Sequence, residues 1–250
     1  MKEPIVAHMD IMKKTTFLLP AYNEEKSIGY VLKVISESYP DAKIIVVDNN
    51  CDDKTPEIAA SYGATVIHEK RQGKGFSIKK GLETIDSEYI IMLDADNTYD
   101  PNEALKLLKS LKKSKSDVIL GNRLTDKRCK DSITRFNLIG NYILSFLASI
   151  LYSKISDVCT GYWVFNRGVK DYILNTGIES NGFELEVEIF AKINNANFKI
   201  HEIPINYRRR VDKPKLSSAR DGWKIFKSLW YQKIKFIIVD LKVKSHELRD

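Results

Sequence analysis

Tyr89-Ile90-Ile91-Met92-Leu93-Asp94-Ala95-Asp96 is the stretch on which the fold turns. Its apolar run has no polar break, as in a strand of parallel sheet covered on both faces, and it ends abruptly in two carboxylates. Runs of the same kind lie on either side, at Thr16–Leu19, Lys43–Val47, Thr65–Ile67 and Val118–Leu120. Helical patterns fit between them. One starts near Asn23, and one opens at Thr55-Pro56 with Thr as N-cap and Pro at the first helical position. A third runs from Phe76 to Thr84. A fourth opens at Asp100-Pro101-Asn102-Glu103, which reads as N-cap, helical proline and capping-box glutamate. Repeated βα units predict an α/β fold with an open, mostly parallel sheet flanked by helices, which binds ligands at the carboxyl ends of its strands.

The chain has 250 residues, 43% hydrophobic and 29% charged, enough for one large α/β domain with a real core. The net charge is +7, and Lys and Arg gather after about position 205. Such a balance suits a polyanionic partner: nucleic acid, a phosphorylated substrate or anionic lipid. No nucleic-acid fold motif is present, so no nucleic-acid partner is expected. The absence of G-x-G-x-x-G after the first strand sets aside a dinucleotide dehydrogenase. Cys51, Cys129 and Cys159 are odd in number and widely spaced, as reduced thiols are. Residues 1–14 lack the apolar core of a signal peptide and read as a dispensable tail, with Met1, Met9 and Met12 each a possible start. No transmembrane helix is expected. The nearest candidate, Leu138–Tyr152, is interrupted by Gly140, Asn141, Ser145 and Ser149.

The strand ends carry the chemistry. Asp94 and Asp96, two positions apart on extended backbone, point to the same side and offer hard oxygen ligands to Mg2+ or Mn2+, with room left for a diphosphate. A solvated acidic turn is the bland alternative. The second strand ends in Asp48-Asn49-Asn50-Cys51-Asp52-Asp53-Lys54-Thr55, whose carboxylates and amides suit a base and its ribose. Asp48 is the expected ligand contact there, while Asp53 or Thr55 serves the helix start. Pro20-Ala21-Tyr22-Asn23-Glu24 flanks the same base, although Pro20 and Asn23 suit a loop and a cap equally well. Gln72-Gly73-Lys74-Gly75 allows close backbone approach to a ligand, with Lys74 near a phosphate. His68 and His201 read as structural.

Pro20-Ala21-Tyr22-Asn23-Glu24, Val46-Val47-Asp48, Gly73-Lys74-Gly75 and Asp94-Ala95-Asp96, in this order, resemble family 2 of the nucleotide-sugar glycosyltransferases, which has a GT-A fold. Asp157-Val158-Cys159-Thr160-Gly161-Tyr162, Gly182-Phe183-Glu184-Leu185-Glu186-Val187-Glu188 and Ile203-Pro204-Ile205-Asn206-Tyr207-Arg208-Arg209-Arg210 are similar to the dolichyl/polyprenyl-phosphate sugar synthases, as is Lys215-Leu216 followed by Asp221-Gly222. The resemblance covers about residues 15–230. It implies inverting transfer of a hexose from UDP-N-acetylglucosamine, UDP-glucose or GDP-mannose to a dolichyl or polyprenyl phosphate. By the same resemblance, Asp94 and Asp96 bind the metal. Pro20, Tyr22, Glu24, Asp48, Lys74, Asp94, Ala95 and Glu186 contact the nucleotide-sugar. Arg123, Arg135 and Arg210 contact the acceptor phosphate, and Asp96, Arg123 and Arg210 form the catalytic group. Glu186 and Glu188 line the sugar pocket or pair with Arg residues. The chain departs from the pattern at Asn49, where a second Asp is usual, at Cys51 in place of Ser, and at Trp163, where Arg is common; Asn49 and Trp163 tilt the donor towards a UDP-sugar.

A phosphate acceptor is already an anion near pH 7 and needs no general base. A sugar hydroxyl or other soluble acceptor needs a carboxylate such as Glu186 or Glu188. Both acceptors remain open, as does a non-enzymatic membrane-binding or nucleic-acid-binding module. Two segments favour lipid. Leu138–Tyr152 suits the interface, and Trp223, Phe226, Trp230, Ile234 and Ile237 recur at helical spacing with Lys224, Lys227 and Lys235 on another side. Ordinary core or dimer helices show the same spacing. The expected organisation is a GT-A domain over residues 15–212 and a basic amphipathic extension over residues 213–250 on an anionic membrane surface. The expected location is the cytoplasmic face of the cell membrane, as a peripheral protein, with Arg208–Lys215 a loop that orders over the acceptor.

Overall fold

The computed structural model describes residues 10–125, 128–212 and 218–247. Within them the chain runs β1 (Thr15–Ala21), α1 (Ile28–Ser38), β2 (Lys43–Asp48), α2 (Thr55–Ser61), β3 (Thr65–His68), α3 (Lys74–Thr84), β4 (Tyr89–Met92), a 3-10 turn (Pro101–Glu103), α4 (Ala104–Ser114) and β5 (Val118–Asn122). Then follow α5 (Arg135–Leu151), β6 (Trp163–Asn166), α6 (Arg167–Thr176), α7 (Leu185–Asn195), β7 (Ile200–Pro204) and α8 (Ser218–Glu247).

The strands make one sheet in the order β3-β2-β1-β4-β6-β5-β7. Pairing is parallel except where β6 inserts antiparallel between β4 and β5. Alternation along β1 shows why the strands are apolar throughout. Phe17 and Leu19 join one core with Leu32 and Ile35 of α1 and Leu108 of α4, whereas Leu18 joins the other with Ile78 and Leu82 of α3 and Phe190 of α7.

Asp100 caps the 3-10 turn as expected, its carboxylate accepting from the Asn102 amide at 3.1 Å, with Pro101 next. Glu103 does not close a capping box. Its carboxylate reaches Asn206, accepting from the backbone N–H at 2.9 Å and the side-chain amide at 3.1 Å. Thr55 lies inside α2 and is not its N-cap. Its hydroxyl accepts from the Glu24 amide at 2.8 Å, and Asp53 accepts the Thr55 N–H at 2.9 Å. From residue 10 onward the N-terminal segment packs on the domain: Ile11 and Met12 are buried in the first core, and Thr15 Oγ1 donates to the Ile11 carbonyl at 2.7 Å. Residues 1–9, including Met1 and Met9, lie outside the described residues, as does Lys215-Leu216.

In α8 the inward residues are Ile225, Leu229 and Gln232, and the helix packs on α5 and α7. Trp223, Trp230, Ile234 and Ile237 face outward, and Phe226 is partly buried. Among the described residues no helix is long and apolar enough to cross a membrane.

Candidate active site

The carboxyl ends of β1, β2 and β4 converge, and three asparagines with positive φ (Asn23, Asn50 and Asn97) turn the chain sharply as it leaves them. The β1 and β2 loops are laced together: Asn23 N–H meets Cys51 Sγ at 3.2 Å, Asp52 N–H donates to the Asn23 side chain at 3.0 Å, and Glu25 N–H to Asp53 at 3.1 Å. Burial pushes the Cys51 thiol up to about 12, so it is a neutral part of this lacing.

Asp94 and Asp96 stand at the centre, each held by a cation from a distant element. Lys74, the first residue of α3 after its N-cap Gly73, places Nζ 2.6 Å from Asp94 Oδ1 and 2.6 Å from Glu186 Oε1 on α7. Burial alone would lower its pKa, but the two carboxylates outweigh it and raise the ammonium well above its ordinary range. Asp96 Oδ1 accepts from the Thr98 amide at 3.0 Å and the Thr98 hydroxyl at 2.6 Å, while Oδ2 meets Arg210 Nη1 at 2.6 Å. Arg210 Nη2 pairs with Glu24. Burial, reinforced by the neighbouring Asp94 charge, pushes Asp96 above the usual carboxylate range against the pull of Arg210; burial raises Glu186 too.

The glycines beside Lys74 serve packing against protein. A Cβ on Gly75 would lie 1.7 Å from the Ser180 carbonyl oxygen, and one on Gly73 2.3 Å from that of Asn181. The expected close approach is therefore to the loop before α7, which brings Glu186 to Lys74. Gly161 plays a similar part for Asp94, since a Cβ there would lie 2.7 Å from Oδ2.

Two cavities meet at these charges. One, of about 350 Å³, is lined by Pro20, Tyr22, Glu24, Asn49, Gln72, Lys74, Asp94, Ala95, Asp96, Phe183 and Arg210. The other, of about 230 Å³, has Lys74, Asp94, Asp96, Phe183 and Arg210 in common with it and extends past Arg123, Glu186 and Tyr207 to Phe136, Gly140 and Leu144 of α5 and Gly222 and Ile225 of α8. A larger cavity, about 610 Å³, opens at the amino ends of β2 and β3, and its only charged lining residue is Lys43. Strand-end chemistry lies elsewhere.

Several expected residues sit differently. Asp48 does not line the first cavity; its carboxylate accepts from Cys51 N–H at 2.9 Å and meets His68 Nδ1 at 2.7 Å. Burial opposes its charge, yet these bonds hold its pKa below the ordinary value. His68 therefore has a partner that spacing along the chain did not reveal. Asn49 lines the cavity instead, donating to the Arg71 carbonyl at 2.7 Å and accepting from Gly73 N–H at 2.7 Å. An Asp could not donate to that carbonyl, so the departure from the usual pattern has a local cause. Arg123 reaches the second cavity, but its fork is committed to buried Asp157 at 2.8 and 2.7 Å and to Asn141 at 3.1 Å. Arg135 is exposed at the start of α5 and does not line the cavity, although Thr134 and Phe136 do. Glu188 lies outside both cavities, where it binds the Glu179 and Ser180 amides at 2.9 and 2.6 Å and Lys192 at 2.6 Å. Trp163 is wholly buried, its ring N–H donating to the Thr160 carbonyl at 2.7 Å, and does not touch either cavity.

Among the described residues no three His, Cys, Asp or Glu side chains are grouped to hold a metal alone. The donor set nonetheless fits Mg2+ or Mn2+ as these ions bind beside phosphates, through one or two carboxylates with water and diphosphate supplying the rest. The residues that would hold the ion are Asp94 and Asp96.

An open, mostly parallel sheet with one antiparallel insertion, flanked by helices and carrying this carboxylate pair at a strand end, is an α/β fold of GT-A type. The structure of glucosyl-3-phosphoglycerate synthase from Mycobacterium tuberculosis, in complex with Mn2+, UDP-glucose and phosphoglyceric acid, matches it with a TM-score of 0.73 over 92% of this chain and 85% of that one. At 17% identity the likeness bears on fold alone. A profile described as "Glycosyl transferase family 2" matches residues 16–173, and the chain belongs to that family of glycosyltransferases. A dolichyl-phosphate hexose transferase of Haloferax volcanii is 32% identical, over 85% of this chain and 90% of its own length. Glycosyltransferase AglJ of the same organism is 31% identical, over 85% and 70%. The low-salt glycan biosynthesis hexosyltransferase Agl6 is 31% identical over 87% of this chain, which spans about half (53%) of Agl6.

Proposed function

We propose that the chain transfers a hexose, with inversion, from a nucleotide-diphosphate sugar to a dolichyl or other polyprenyl phosphate at the cytoplasmic face of a membrane. The supporting observation is the meeting of two cavities at Asp94, Asp96, Lys74 and Arg210, one among strand-end loops and the other walled by the apolar residues of α5 and α8. The nucleotide occupies the first, with Pro20, Tyr22 and Asn49 beside the base and Glu24, Ala95 and Asp96 near the diphosphate. A divalent ion on Asp94 and Asp96, when bound, neutralises charge on the departing diphosphate. The acceptor phosphate enters the second cavity. Arg210 stands at the junction of the two cavities, and Arg123, placed by Asp157, lines the wall behind it. A phosphate oxygen forms the new bond to the anomeric carbon as the bond to the diphosphate breaks and the nucleoside diphosphate leaves with the electron pair.

No proton need be removed, and the carboxylates suit that chemistry. Glu186 is paired with Lys74, and Glu188 is engaged by backbone and Lys192, so neither stands ready as the base a sugar hydroxyl would need. The membrane reading has support from the surface. Phe136, Ile139, Ile143, Phe146 and Ile150 recur every three or four residues along α5, and all are more than half exposed. Trp223, Trp230, Ile234, Ile237 and Leu241 are exposed on α8, where Lys227 covers the Trp223 ring at 5.3 Å. Tyr152, just beyond α5, donates to the Leu229 carbonyl of α8 at 2.7 Å and links the two helices. Aromatic and aliphatic residues interleaved with lysines suit an anionic interface, with α8 as the membrane-associating element.

The test is a product survey: each of UDP-N-acetylglucosamine, UDP-glucose and GDP-mannose, labelled in the sugar, with Mn2+ and either polyprenyl phosphate vesicles or soluble acceptors. An organic-phase sugar phosphate with inverted anomeric configuration is expected from one donor. Product confined to soluble acceptors would overturn the acceptor assignment.

A further inference from the structure

We propose that Lys74 and Arg210 are internal counter-ions that hold the metal-binding carboxylates in the ligand-free protein and exchange them for phosphate oxygens when metal and diphosphate arrive. The inference rests on the donor reading just given and concerns what these two side chains do before and after loading. Lys74 Nζ lies 2.6 Å from an oxygen of Asp94, and Arg210 Nη1 lies 2.6 Å from an oxygen of Asp96. Each of the two carboxylates thus has one oxygen covered by protein cation. A divalent ion must compete with the ammonium and the guanidinium for the same oxygens.

Charge decides the direction of exchange. Among the described residues, the carboxylates Asp94, Asp96, Glu186 and Glu24 and the cations Lys74 and Arg210 are six side chains whose formal charges sum to −2. That charge attracts a divalent ion and repels a bare diphosphate. Once the ion is in place, Lys74 and Arg210 lose part of their attraction to Asp94 and Asp96 while anionic phosphate oxygens appear beside them. Arg210 is also incompletely satisfied where it stands, because its Nε is buried with no hydrogen-bond partner among the described residues. Buried N–H groups are rarely left so, and a phosphate oxygen would complete the fork. Both side chains line both cavities, so either can turn towards an arriving phosphate without crossing the core.

Exchange makes metal and diphosphate binding mutually reinforcing, since each removes an obstacle to the other. Calorimetric titration of the full chain with Mn2+ alone, with UDP or GDP alone, and with the nucleotide under saturating Mn2+ reads this directly. In the wild type Mn2+ alone binds weakly and the nucleotide tightens it. Lys74→Gln and Arg210→Gln, each checked for a native melting transition, bind Mn2+ alone roughly tenfold more tightly, as expected from removing a like charge at contact distance. The same variants bind nucleotide under saturating Mn2+ roughly tenfold or more weakly, with the reinforcement reduced. Arg210 lies on the chain segment after β7 and outside the core, so its variant stays informative if Lys74→Gln does not fold. Unchanged or weaker binding of Mn2+ alone in the folded variants, with wild-type binding intact, overturns the exchange and leaves the donor reading standing. Failure of the wild type to bind Mn2+ with either nucleotide overturns both.

Discussion

Replacing Asp157 with Ala should cost more stability than any exposed substitution in this chain. The carboxylate is wholly buried and meets Arg123 three times, at the backbone N–H (2.9 Å), at Nε (2.8 Å) and at Nη2 (2.7 Å). Without it the guanidinium keeps the Asn141 oxygen at 3.1 Å and the Tyr207 ring at 5.4 Å, poor compensation for a buried charge. Breaking one side of a buried pair costs about 3–5 kcal/mol. For a chain of this size each kcal/mol lowers the melting temperature by about 2–4 °C, so a fall of roughly 6–20 °C is expected. Thermal unfolding followed by circular dichroism measures it. Pairing Arg123→Met with Asp157→Leu should recover most of the loss, because apolar replacement of both partners is often nearly neutral, while sugar transfer stays abolished. A single Asp157→Ala variant melting within about 2 °C of wild type would refute the assignment of Asp157 as the partner that keeps Arg123 charged and placed.

Gly75→Ala puts a Cβ 1.7 Å from the Ser180 carbonyl oxygen, and overpacking against backbone should cost about 1–3 kcal/mol and weaken nucleotide binding by separating Lys74 from Glu186; a melt and a titration check both. Glu69 is held down to about 2 from 4.5, chiefly by its hydrogen bond to Arg71, so its contribution is complete above pH 4.5 and lost as pH falls towards 2. Arg71→Gln should therefore flatten the acid limb of a stability-against-pH curve, by an amount kept small because Arg71 is largely exposed. Phe146→Glu with Ile150→Glu should leave the melting temperature unchanged, since both are exposed, but reduce partition into anionic vesicles by about 100-fold at about 1.5 kcal/mol or more per side chain; vesicle co-sedimentation reads it.

The strands from β1 to β5 were legible because each is an unbroken apolar run bounded by turn or cap residues. β6 and β7 were not. β6 is a buried run of only four residues, and Ile200–Pro204 is broken by His201 and Glu202 at the sheet edge, so neither gives the longer unbroken apolar signal of a central strand. In α8 the stripe read from helical spacing is mostly the exposed one, because Ile225 and Leu229 form a second apolar stripe and periodicity does not say which faces inward. Asp94, Asp96, Lys74, Glu186 and Arg210 were named from motifs, and the structure brings them to one place. What sequence did not show is who holds whom. Asp48 turns to His68 and Cys51 while Asn49 faces the cavity, and Arg123 meets Asp157 across 34 positions, pairings fixed by tertiary packing.

Anomalous diffraction at the manganese edge, from crystals soaked with Mn2+ and the preferred nucleoside diphosphate, locates the ion without reference to activity. A single peak within about 2.5 Å of carboxylate oxygens of Asp94 or Asp96, bridged to the diphosphate, is the expected result. Nucleotide bound with no peak at that corner, or with the ion held by other residues, would contradict it.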